Sequence, residues 1–137
     1  MKGAGALIRV AGYEVETLRK RLAAIVDRRT DLEMKVAMLD AEAEAETEHA
    51  KTDAEAGWYL IGYREGWKIR RAQYEAQIQT ALAEETGARD ALAAAYETLK
   101  KYERVAEIAA DAKTKEENRR EAADLEEVSR NRRSARG

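Results

Sequence analysis

At 137 residues, 38% of them charged and none proline, cysteine or phenylalanine, the chain has neither a disulfide framework nor the means to enclose a large aromatic core. Its 27 acidic and 25 basic residues leave a net charge of −2, which argues against a dedicated nucleic-acid binder, and no apolar run approaches the roughly 18 residues that cross a bilayer. An excess of Ala, Glu, Lys, Leu and Arg is the composition of long helices rather than of a globular enzyme.

Residues 1–6, MKGAGA, are glycine-rich and read as a flexible start. Together with the following LIRVAG they are too short and, at Arg9, too polar to read as a signal peptide. Residues 7–56 are expected to form the first helix. Within it, positions separated alternately by three and four residues run Ile8, Ala11, Val15, Leu18, Leu22, Ile25, Arg29, Leu32, Val36, Leu39, Ala43, Glu46 and Ala50. An average spacing of about 3.5 residues keeps such a row on one stripe of a supercoiled helix. The last third, residues 40–56, holds seven acids and one lysine, yet Glu and Ala keep it helical as a solvated acidic arm.

Residues 57–66, GWYLIGYREG, are assigned to the turn and tip. The second helix, 67–128, repeats the same spacing through Trp67, Arg71, Tyr74, Ile78, Ala81, Glu85, Ala88, Leu92, Ala95, Leu99, Tyr102, Ala106 and Ala109. Two rows of equal length with glycines between them predict an all-α fold, a two-helix antiparallel coiled-coil hairpin with its turn near Gly57. The charges inside the rows set the register. Placing Arg29 opposite Glu85 sets Leu22 by Leu92, Val15 by Leu99 and Val36 by Ile78. It also puts Ala43 by Arg71, with Glu46 one layer away, so each buried charge has an opposite partner. The midpoint of that register falls on Gly57, a residue that tolerates a reversal. Beyond Ala109 the apolar row thins, and Glu/Arg spacings of four support an unpartnered helix. Residues 129–137, with four arginines and no acid, read as a basic disordered tail that is too small a cluster to indicate nucleic acid.

Chemistry-bearing patterns are sparse. Glu46 and His49 form an E-x-x-H pair, half of a di-iron bundle motif, but the chain has a single histidine and so no second half. Ser129 and Ser134 have no base within reach in the sequence, and the glycines match no phosphate-binding loop. No catalytic residue, metal, cofactor or small-molecule substrate is expected. The sharpest signal is the tip, where Trp58, Tyr59, Ile61, Tyr63 and Trp67 cluster within ten residues beside arginines. Leu60 and Ile61 can cap the end of the seam; alternatively the cluster is a partner-binding patch of aromatic hot-spot composition.

Several segments together resemble the FliJ family of bacterial flagellar type III export proteins. They are GALIRVAGYEVETLRKRL with its Glu14 and Val15, a charged first arm, the Gly57 and Trp58 turn, and a long second helix with a basic end. AEAGWYLIGYREGWKIRRAQ is similar to the alphaproteobacterial form of the family. The resemblance implies a cytoplasmic protein, peripherally associated with the flagellar base at the inner membrane. It would engage the hexameric export ATPase and the export gate membrane protein, and escort substrate chaperones. It implies that the ATPase engages the end carrying the termini, through Leu7, Arg9, Val10, Tyr13, Glu14, Tyr102 and Arg104. The gate-binding row maps to Trp67, Arg71, Tyr74 and Ile78. Without the resemblance, the same features describe a generic cytoplasmic coiled-coil scaffold or adaptor.

Overall fold

The computed structural model describes residues 3–136. Two helices, α1 (Ala4–Thr52) and α2 (Ala54–Arg136), account for nearly all of them, and no strand occurs among the described residues. The fold is all-α, as the spacing predicts. No helix among the described residues is long and apolar enough to cross a membrane.

The chain divides into two units, to both of which α1 and α2 contribute. The first to be considered, Glu16–Ala93, is an antiparallel helical hairpin. Ile25, Leu32, Val36 and Leu39 of α1 and Ile78, Ala81, Glu85 and Ala88 of α2 are buried along its seam. Leu32, Val36 and Ile78 form its aliphatic cluster, with Tyr74 packed against them. Burying an aliphatic side chain of this size contributes about 1.5–3 kcal/mol, so a few such layers dominate the stability of a two-helix seam. Every α2 row position from Trp67 to Ala109 is buried or half-buried, and in the α1 row only Glu46 is exposed.

The predicted register holds at its anchor. Arg29 Nε donates to Glu85 Oε2 at 2.6 Å, and Arg28 pairs with Glu84 on the adjoining flank. Toward the reversal the pairing departs from expectation. Arg71 does not pair with Glu46, which is exposed; it pairs with Asp40. Arithmetic confined to seam positions overlooks Asp40, which flanks the seam and is reached by a long guanidinium stem.

The reversal itself lies at Asp53, ahead of Gly57. Thr52 Oγ1 donates to the His49 carbonyl as α1 ends, and His49 and Lys51 in that last turn suit its negative pole. Asp53 then caps α2: its Oδ1 accepts the Glu55 N–H at 3.0 Å. Gly57 N–H donates to the Asp53 carbonyl, so Gly57 already sits in the first turn of α2, and no glycine among the described residues has a positive φ. Residues 57–66, expected as a turn, are therefore helical. The cap, not the glycine, decides where the chain turns.

The second unit, Met1–Val15 with Ala94–Gly137, pairs shorter side chains. Ala11 and Val15 are buried, and Ala4 shares a shallow cleft with Ala106, Ala109, Ala110 and Lys113. The flexible start expected over 1–6 is corrected from Ala4 onward, where α1 begins with Leu7 N–H donating to the Gly3 carbonyl; residues 1–2 lie outside the described residues. The tail expected to be disordered over 129–137 is likewise helical through Arg136, and residue 137 lies outside the described residues. Neither Gly nor Pro occurs between Gly87 and Gly137, and contacts such as Glu116 with Arg119 and Arg120 support successive turns.

Candidate functional site

The first turns of α2 distribute the tip residues by helical phase. Capped at Asp53, α2 sends Tyr63 and Trp67 toward α1 and leaves Trp58, Tyr59 and Ile61 exposed. Trp67 Nε1 donates to Asp40 Oδ1 at 2.9 Å, and Arg71 Nε donates to the same oxygen at 3.1 Å. The Arg71 guanidinium, foremost, holds the Asp40 carboxyl below the usual range against partial desolvation, and the Trp67 indole adds to the effect. Asp40, Trp67 and Arg71 thus lock α1 to α2 about one turn from the aliphatic cluster, on its reversal side. Trp67 belongs to this lock rather than to an open patch.

The expected gate row follows the same logic. Arg71 holds Asp40, Tyr74 packs on the aliphatic cluster, and Ile78 is part of that cluster. All three engage α1. The exposed large apolar side chain nearest to them in the sequence is Ile69, 59% exposed, which seam spacing does not pick out. The signal that finds it is an apolar residue at an outward heptad position; Met34 and Met38 on α1 are others of this kind.

Beside the reversal, Glu46, His49, Asp53, Glu55, Ala56, Tyr59, Leu60 and Tyr63 line an open cleft of about 360 Å³. Leu60 is half-buried there while Ile61 faces out, so the two are split between the cleft and the outer face. Glu46 and His49 meet in this cleft. Among the described residues, no group of three or more His, Cys, Asp or Glu is placed to hold a metal ion.

Deeper in this hairpin, Glu85 is only 7% exposed and accepts from Arg29 and from Arg89 Nη2 at 2.8 Å. Arg29, then Arg89, keeps its carboxyl ionised below the ordinary glutamate range. Arg29 also pairs with Glu33, and its guanidinium is held above its ordinary value chiefly by Glu85. These charges are mutually satisfied and tie α1 to α2 in one register.

In the unit Met1–Val15 with Ala94–Gly137, the residues expected to meet an ATPase are mostly at the surface. Leu7, Val10 and Tyr13 are exposed at successive turns of α1, as are Arg9 and Glu14. Arg104 is exposed and Tyr102 half-buried in the seam. Val105 and Ile108, which seam spacing again omits, are exposed on α2 of the same unit.

No established family profile matches the chain, and no solved structure matches it. Curated proteins do. The chain is 56% identical over 128 residues to the "Flagellar FliJ protein" of two strains of Caulobacter vibrioides, spanning 93% of this chain and 92% of each relative. Identity of that level over nearly the full length of both proteins shows that the chain belongs to the flagellar FliJ family.

Proposed function

We propose that this chain is a non-enzymatic coiled-coil component of flagellar type III protein export. It engages the hexameric export ATPase and the export gate, escorts substrate chaperones, and associates peripherally with the flagellar base at the inner membrane. The observation that carries the reading is a pair of exposed apolar surfaces on a family member whose seam charges are otherwise satisfied. One comprises Leu7, Val10 and Tyr13; the other comprises Trp58, Tyr59 and Ile61. Aromatic residues exposed on a helix are the usual anchors of protein interfaces. The first surface serves the ATPase, with Arg9, Glu14 and Arg104 at its rim. The second meets the gate on its Tyr59 side, where Tyr63 lines the same cleft.

Two paired variants test this. Tyr59→Ala with Tyr63→Ala should reduce capture by the gate protein and swimming, and leave stimulation of ATP hydrolysis near wild type. Val10→Ala with Tyr13→Ala should lower ATPase stimulation and spare gate capture. Large side chains lose more contact on truncation than rim charges, so Arg9→Ala should change either readout less. If both pairs fold and neither ATPase stimulation, gate capture nor swimming changes, a generic scaffold is the better description.

A further inference from the structure

The outward side of a paired helix faces water and normally carries charge. Residues 58–76 of α2 depart from that rule. At about 100° per residue, Trp58, Ile61, Gly62, Ile69, Ala72 and Ala76 fall on the side opposite Tyr63, Trp67, Arg71 and Tyr74, which face α1. Exposure agrees with phase: Trp58 is 83% exposed and Ile61 71%. Within this ridge the one charge is Glu65, 3.8 Å from Lys68. Arg64 and Lys68, with Glu75 between them in helical phase and paired to Arg71, border one edge and Arg70 the other; the three cations are exposed, and Arg64 and Arg70 have no ion-pair partner among the described residues. The acidic run of this hairpin, Glu42, Glu44, Glu46 and Glu48, belongs to the other helix.

We propose that this face of α2 lies on the surface of a bilayer containing anionic phospholipid. Trp58, Ile61 and Ile69 enter the boundary between headgroups and acyl chains, while Arg64, Lys68 and Arg70 contact lipid phosphates. An indole and branched aliphatics on one side, with arginine and lysine along the edges, is the composition of helices that lie in a membrane interface. Charge favours lipid: Arg64 and Arg70, exposed and without an ion-pair partner among the described residues, flank the apolar side chains where lipid phosphates would lie. The acidic α1 does not oppose the contact, because α2 is the helix that lies against the lipid.

The test uses the full chain and vesicles without any export protein. The proposal goes beyond the export reading, so loss of vesicle binding leaves gate capture through Tyr59 and Tyr63 standing, and loss of gate capture leaves vesicle binding standing. A Trp67→Phe background makes Trp58 the sole tryptophan. The protein should sediment with vesicles of phosphatidylcholine and phosphatidylglycerol in equal parts and not with phosphatidylcholine alone, and high salt should release it. Trp58 emission should shift to the blue on binding and be quenched by brominated acyl chains, which reads the contact without altering the ridge. Ile61→Asp with Ile69→Asp should abolish binding while helicity is retained. Arg64→Gln and Arg70→Gln should each weaken it about five-fold, the share of one basic residue near an anionic surface. Failure to sediment at low salt overturns the proposal. So does binding that survives the paired aspartates. An unshifted Trp58, with binding lost on replacing Arg130, Arg132, Arg133 and Arg136 by Gln, would assign the lipid contact to the C-terminal arginines and overturn it as well. Capture of the ridge by the gate protein with no affinity for vesicles would make it a protein-docking surface and end the lipid assignment.

Discussion

The middle of the hairpin seam and its reversal use the same helices but are held by different forces. In the middle, Leu32, Val36 and Ile78 form an aliphatic cluster, and a few residues away Arg29 meets Glu85 in a part-buried ion pair. One turn on from Val36 toward the reversal, Trp67 and Arg71 converge on a half-buried Asp40, and at the reversal itself a single aspartate cap at Asp53 starts α2. Burial scales with the apolar area removed from water, whereas exposed caps and half-solvated charges contribute roughly a kilocalorie per mole or less each. The middle should therefore set the stability of the hairpin, and the reversal its geometry.

The largest expected effect follows from that division. Leu32→Ala should cost about 2–3 kcal/mol in urea unfolding, the lower part of the range for buried leucines, because a two-helix seam can partly collapse around the gap. A loss under about 1 kcal/mol would mean that the aliphatic cluster does not dominate the hairpin.

Next comes the central ion pair. Arg29→Leu should lower the melting temperature by leaving Glu85 with Arg89 as its one cationic partner. Arg29→Leu combined with Glu85→Leu should recover or exceed the parent, since two apolar side chains avoid the desolvation cost of two ions. Strictly additive losses in the double variant would show that the two charges do not act as a pair.

Acid sharpens the comparison, because both regions hold a carboxylate below its ordinary pKa: Glu85 mainly through Arg29, and Asp40 mainly through Arg71. A depressed folded-state pKa gives stability that is fully present above the unfolded value and lost as pH falls through the folded one. Thermal melts should therefore fall progressively once pH drops below the ordinary values of 4.5 for Glu85 and 3.8 for Asp40. Glu85→Gln with Asp40→Asn should flatten that fall. An unchanged acid profile in the double variant would assign the pH dependence to other carboxylates.

The same division explains what the amino-acid order disclosed. Seam positions were legible because aliphatic residues recur with one phase over many turns, and Arg29 and Glu85 are the charges that fit a common layer. Asp40 was not, because it flanks the seam and serves two partners on α2, neither of them the residue that constant register would place beside it. Ile69 and Met34 escaped for the complementary reason: apolar residues off the row add nothing to a seam count, though their outward phase is itself the signal of a surface. The reversal carried two competing signals a few residues apart, Asp53 as a helix cap and Gly57 as a flexible residue. A glycine can occupy an ordinary helical turn, whereas here the Asp53 side chain accepts the Glu55 N–H and caps the helix that follows.

That competition yields the smallest and most discriminating prediction. Asp53→Ala should cost about 1 kcal/mol by removing the acceptor of the Glu55 N–H. Gly57→Ala should do the opposite. Gly57 has no positive φ, a Cβ there would meet nothing within 4 Å, and its N–H already bonds the Asp53 carbonyl. Alanine at such a site should stabilise the hairpin by about 0.5–1 kcal/mol, since it restricts the unfolded chain without strain in the folded one. Were Gly57 the residue that reverses the chain in a left-handed conformation, the same substitution would destabilise by a comparable amount, and Asp53→Ala would be close to neutral. The two unfolding curves therefore move in opposite directions for the two candidate reversals, and their signs identify which residue turns the chain.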